Sequence, residues 1–192
     1  MKKMTLVVST LALAMAAGSA SAATASSASN GPSAGNFGLN VDLTKPTTQF
    51  GTPADFLING RYFITKDMAI LAGFGLQMVD SGATTSSKST NIGLMGGFRK
   101  YLKTDDLAPF VGGKLQYLGT RAGTGATAAD VTDLSILAEI GAEYYLAKQF
   151  SLEGSVGAGY ASQESKAVVG GGSSKMTGFG SVTYNLSANF YF

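Results

Sequence analysis

The chain has 192 residues with 14 Lys and Arg, 12 Asp and Glu, 26 Gly, and neither Cys nor His. The absence of Cys excludes a disulfide framework, and the loss of both Cys and His removes the usual thiolate and imidazole metal ligands and the commonest catalytic base. The formal charge of +2 equals the contribution of Lys2 and Lys3 at the extreme N-terminus, so it is no sign of a nucleic-acid partner.

The opening "MKKMTLVVSTLALAMAAGSASA" combines those two lysines, an apolar run from Leu6 to Ala17 and small residues at Ala20 and Ala22. It reads as a secretory signal peptide, residues 1–22, cleaved after Ala22. The run is shorter than the roughly 20 apolar residues of a spanning helix, and no other segment approaches that length. Removing it leaves about 170 residues, the size of one domain. Residues Ala23 to Gly35, "ATASSASNGPSAG", have no apolar period and read as a flexible linker.

From Asn36 to Phe192 a two-residue period recurs eight times. Phe37, Leu39, Val41 and Leu43 alternate with Asn40 and Asp42, and Phe56, Ile58 and Tyr62 with Asn59 and Arg61. Ile70, Phe74, Leu76 and Met78 oppose Gly73, Gly75 and Gln77; Ile92, Leu94 and Phe98 oppose Asn91, Gly93, Gly97 and Arg99. In the fifth segment Val111, Leu115 and Tyr117 oppose Gly112, Lys114 and Gln116, and in the sixth Leu134, Ile136, Ile140, Tyr144 and Leu146 oppose Ser135, Glu139, Gly141 and Glu143. Leu152, Val156 and Tyr160 oppose Glu153, Ser155, Gly157 and Gly159 in the seventh. The eighth sets Val182, Tyr184, Leu186, Ala188, Phe190 and Phe192 against Ser181, Thr183, Asn185, Ser187 and Asn189.

Most segments are about 9–12 residues long, the length a tilted strand needs to cross a bilayer. The connections alternate as well. Short charged turns at Thr65 to Asp67, Lys103 to Asp106 and Lys148 to Gln149 contrast with long Gly/Ser/Thr-rich links at Thr44 to Ala54, Asp80 to Thr90, Gly119 to Val131 and Ser162 to Lys175. This arrangement predicts an all-β fold, an eight-stranded antiparallel up-and-down transmembrane β-barrel of the outer membrane of a Gram-negative bacterium, with both termini on the short-turn, periplasmic side. The strands must close, because unpaired backbone groups at a sheet edge are costly in lipid. Tyr62, Phe63, Tyr101, Phe110, Tyr144, Tyr145, Phe150, Phe190 and Phe192 gather at the periplasmic strand ends and are expected to form an interfacial girdle, with Phe56, Tyr117, Tyr160 and Phe179 nearer the outer rim.

The alternation running to a terminal aromatic resembles the small eight-stranded outer-membrane barrels, such as the OmpA transmembrane domain, OmpX and opacity-like proteins. In that class the last strand is a signal read by the outer-membrane assembly machinery, which the resemblance places on Tyr184, Leu186, Phe190 and Phe192. The OmpA family carries a peptidoglycan-binding domain after its barrel, whereas this chain stops at Phe192, so cell-wall anchoring is not carried over. Phe192 is expected to pair near Phe37 and seal the barrel.

On the inward parity stand Arg61, Arg99 and Lys114 with Glu139, Glu143 and Glu153. Arg61, Arg99, Glu143 and Glu153 lie at similar distances from the periplasmic turns and should share a layer, with Lys114 and Glu139 somewhat higher. Eight strands leave an interior that side chains just fill, so three cations facing three carboxylates predict a structural ion-pair network rather than a selective pore, which favours an excess of one sign. The inward glycines make room for the long side chains.

No cofactor, metal site or catalytic residue is expected. The outer-membrane hydrolases and acyltransferases generally resemble one another in using a His base, and the Gly-rich stretches lack the helix or Lys-Ser/Thr of a phosphate cradle. The expected partners are outer-membrane lipid and lipopolysaccharide, the assembly machinery, and a surface ligand bound by the long loops. The expected role is structural, serving envelope integrity or surface adhesion. The alternative is a small diffusion channel. A secreted lipocalin-like binder, also eight-stranded, would place its apolar residues inside, the reverse of this pattern.

Overall fold

The computed structural model describes residues 30–43, 58–80, 88–123, 128–167 and 172–192. The strands are β1 (Phe37–Asp42), β2 (Ile58–Thr65), β3 (Met68–Asp80), β4 (Lys88–Tyr101), β5 (Leu107–Ala122), β6 (Ala129–Ala147), β7 (Phe150–Ala167) and β8 (Ser173–Tyr191). Each pairs antiparallel with the next, and β8 returns to β1, closing an up-and-down barrel. The seam runs from Gly38 opposite Tyr191 to Asp42 opposite Ser187. Beyond it Phe37 and Phe192 exchange backbone hydrogen bonds of 3.3 and 2.9 Å, so the terminal aromatic does pair with the first strand. Phe56, the signal peptide and the whole of the first long link, Thr44 to Ala54, lie outside the described residues.

The period of two places the apolar residues on the outside of the wall. Ile70, Phe74, Leu94, Phe98, Ile136 and Ile140 are all exposed, while Arg61, Arg99, Glu139, Glu143 and Glu153 are buried. From Tyr144 up to Leu134 on β6, ten steps at about 3.3 Å with a tilt of about 40° give an apolar band about 25 Å tall, which matches the hydrocarbon layer around such barrels. Tyr117, Tyr160 and Phe179 point outward along its upper edge.

Three expectations from the sequence need correction. The strands from β3 onward are longer than a bilayer requires, at 13, 14, 16, 19, 18 and 19 residues. Much of the links expected at Asp80 to Thr90, Gly119 to Val131 and Ser162 to Lys175 is therefore strand. Above the apolar band both faces of a strand meet water, so no alternation marks it. Second, the girdle divides into two sets. Tyr62, Tyr144, Phe190 and Phe192 face outward, whereas Phe63, Tyr101, Phe110 and Tyr145 are buried inside with Tyr191. Neighbouring residues near a strand end have opposite parity, and proximity to the end says nothing about face. Third, the linker expected at residues 23–35 holds defined structure from Asn30 onward, packed against the short-turn end.

A smaller departure lies in β8. Gly157 stands opposite Thr183 but Ala158 stands opposite Ser181, so one extra residue interrupts the ladder. The parity of β8 changes there. Phe179 and Tyr184, of opposite parity in sequence, thus both face outward.

Candidate functional site

The interior is filled in two layers at the short-turn end. The lower layer consists of Phe63, Tyr101, Phe110, Tyr145 and Tyr191 with Ala69 and Ala108, contributed by β2 to β6 and β8. Phe63 packs on Tyr101 at 5.4 Å between ring centroids and on Tyr191 at 6.0 Å; Tyr145 stacks on Tyr191 at 5.5 Å, and Tyr101 meets the edge of Phe110 at 5.7 Å. Such tilted and stacked contacts add to the burial of large rings. Two glycines admit them. A Cβ on Gly141 would stand 2.5 Å from the Phe110 ring, and one on Gly38 would stand 2.6 Å from the Tyr191 ring.

Above this floor lies the ionic layer. Arg61 Nη1 donates to Glu143 Oε2 at 2.8 Å and to the Tyr101 hydroxyl at 2.9 Å, and its Nη2 donates to Glu153 Oε2 at 2.6 Å and Asn189 Oδ1 at 2.9 Å. Arg99 grips Glu153 with both Nη atoms, at 2.8 and 2.9 Å, and reaches Glu139 at 2.8 Å. Its guanidinium carbon sits 3.6 Å from the centroid of Phe110, a cation–π contact that joins the two layers. Lys114 Nζ completes the set on Glu139 Oε2 at 2.6 Å. Arg61, Arg99, Glu143 and Glu153 therefore share one layer, and Glu139 links it to Lys114 on the outer side.

Glu143 is the hub. It accepts from Arg61, from the Tyr101 hydroxyl at 2.7 Å, from Asn189 Nδ2 at 3.1 Å, and from the Ser151 and Tyr191 hydroxyls. Buried carboxylates are costly without such partners, and the bidentate Arg99–Glu153 pair has the fork geometry that makes arginine suited to the task. The sequence pattern did not identify Tyr101, Ser151, Asn189 and Tyr191 as members of this network. Ser151, Asn189 and Tyr191 stand on the inward parity, which is the available signal, whereas the sequence places Tyr101 in the girdle.

Further out, Asn40 Nδ2 donates to Ser187 and Asn189, and Asp42 accepts from Asn185 at 3.0 Å and Asn59 at 3.3 Å. Asp133 is buried near the upper edge, and its Oδ2 has no hydrogen-bond partner among the described residues. Among those residues no group of three acidic side chains is placed to hold a metal ion. Every glutamate of the ionic layer is occupied by cations. Tyr184, Leu186, Phe190 and Phe192 line the outer face of the closing strand and take no part in the lumen.

No protein-family model matches the chain, and no curated protein matches its sequence. Solved structures do resemble it. The outer membrane protein OprG from Pseudomonas aeruginosa superposes with a TM-score of 0.54 at 11% identity, covering 86% of this chain and 99% of that one. The N-terminal β-barrel domain of OprF from the same organism has a TM-score of 0.43 at 14% identity, covering 84% of this chain and 99% of that one. The chain has the fold of the small outer-membrane β-barrels.

Proposed function

We propose that the protein is a structural barrel of the outer membrane, closed to ions, with both termini and the short turns in the periplasm and the long polar strand extensions outside the cell. The observation that carries this reading is the filled lumen: an aromatic floor under a charge-balanced layer of three cations and three carboxylates. A layer in which each charge is held by fixed neighbours, in a barrel whose interior side chains just fill, supports a lumen closed to ions. The lipid-facing band supports the membrane location, and the position of Phe190 and Phe192 on the outer face supports a contact with the assembly machinery. The network is assigned no catalytic role.

Activity toward other molecules, whether adhesion, lipopolysaccharide contact or a contribution to envelope integrity, belongs to the extensions and loops that rise above the apolar band. The first test is conductance of the refolded protein in planar bilayers, read beside its heat-shifted gel mobility. A heat-modifiable barrel without current fits the reading. Reproducible open-channel steps would overturn it and assign the protein to diffusion. Current that rises in Glu139→Gln or Arg99→Ala without any loss of heat stability would likewise refute a structural network.

A further inference from the structure

The aromatic floor raises a question of its own. Phe63, Ala69, Tyr101, Ala108, Tyr145 and Tyr191 are the last inward positions of their strands, each within two residues of a strand end. Side chains at the open rim of a barrel would meet water on their lower side. Yet all six are at most 3% exposed. Something covers the mouth from below.

The segment Asn30–Gly35 is held between two anchors at that end of the barrel. At one end it is tied to β2, where the Gly35 N–H donates to the Phe63 carbonyl at 2.8 Å and the Phe63 N–H donates to the Asn36 carbonyl at 3.0 Å. The chain reverses there, with the Asn36 N–H donating to the Ser33 carbonyl and Gly35 at a φ of 86°, a conformation glycine adopts without penalty. At its other end the Asn30 N–H donates to Asp106 Oδ1 at 2.7 Å in the turn between β4 and β5. That turn lies across the barrel from the β8–β1 seam. Gly31 runs so close to the Thr104 carbonyl that a side chain there would overlap it, and Pro32, between the two anchors, is buried.

We propose that Asn30–Gly35 is a strap that crosses the short-turn mouth, seals the aromatic floor from water, and leaves the lumen accessible only from the opposite end. The strap is anchored on Phe63 of β2 and on the β4–β5 turn and runs straight into β1, so it also ties the first strand of the closing seam to the far wall. The absence of native Cys permits a direct test. A single thiol introduced by Ala69→Cys, at a floor position 1% exposed, reports water entry through its rate of reaction with a charged, soluble maleimide in refolded barrels.

With the strap intact the thiol reacts slowly. Deletion of residues 23–34, or the pair Pro32→Gly and Asp106→Ala, raises the rate at least tenfold while the heat-modifiable gel shift shows that the barrel remains folded. The paired substitution covers the case in which the deletion does not fold. An unchanged rate in the strap variants, or an equally fast rate in the parent, overturns the proposal. Conductance separates this outcome from the closed-barrel reading, because the ionic layer lies behind the floor. The strap variants gain thiol reactivity without current, whereas current in the parent refutes the closed barrel alone.

Discussion

Arg99→Ala removes the cation that binds two carboxylates at once, and its cost follows from the geometry. Arg99 makes two hydrogen bonds to Glu153, two to Glu139 and a cation–π contact with Phe110. Breaking a buried pair by deleting one partner costs about 3–5 kcal/mol, chiefly because a charge is left without compensation. Here neither carboxylate is abandoned entirely: Glu153 keeps Arg61 at 2.6 Å and Glu139 keeps Lys114 at 2.6 Å. The loss therefore falls at the lower end, about 3 kcal/mol, with the desolvated ring contact adding about 2 kcal/mol. Equilibrium urea unfolding in lipid vesicles, followed by tyrosine fluorescence and gel mobility, measures it. Glu153→Gln in the Arg99→Ala background restores equal numbers of cations and carboxylates, so the double variant should recover about 1–2 kcal/mol relative to the sum of the single changes. A loss below about 1 kcal/mol for Arg99→Ala, or strict additivity with Glu153→Gln, would refute the view that the network acts as one unit.

Gly141→Ala should cost about 1–3 kcal/mol, because its Cβ would meet the Phe110 ring and the Gly154 carbonyl, both at 2.5 Å, in a filled interior. Gly154→Ala, on the outer face with nothing within 4 Å of the new Cβ, should change stability by less than about 0.5 kcal/mol in the same titration. Ile136→Arg places a charge on the lipid face near the upper edge of the band and is expected to cost about 1 kcal/mol, against about 2–4 kcal/mol for Ile140→Arg nearer the midplane; equal costs would contradict the assigned depth. In the turn between β2 and β3, the Lys100 ammonium and the Thr65 hydroxyl hold the Asp67 carboxyl below the usual carboxylate range. A depressed native pKa stabilises the fold above the unfolded value and loses that contribution as pH falls through the native one. The difference in stability between Asp67→Asn and the parent should thus be constant from pH 7 down to the ordinary carboxylate range, then shrink in stronger acid; a difference that grew with acid would have the wrong sign.

The two-residue period by itself determined how many strands there are, which face each side chain takes within the apolar band except beyond the interruption in β8, and that Phe192 must return to Phe37. Lipid imposes these choices locally: each outward residue must be apolar and each backbone group must find a partner, so the constraint is written into every pair of neighbours. The charges at Arg61, Arg99, Lys114, Glu139, Glu143 and Glu153 were legible as an interior set for the same reason. Only the tertiary structure decided which of them touch, because the partners come from strands far apart in sequence and the register of each pair sets their heights. It also showed that Phe63, Tyr101, Phe110 and Tyr145 follow the inward parity of Arg61, Arg99, Gly112 and Glu143 rather than joining the interfacial girdle. Aromatic residues at the end of a strand satisfy either the interface or a filled lumen, and composition does not separate the two. The extensions above the band escaped detection because a strand wet on both faces has no period. The strap at Asn30–Gly35 escaped because its contacts are backbone hydrogen bonds and a buried proline, features that leave no pattern until the closed barrel brings the β4–β5 turn across from β1.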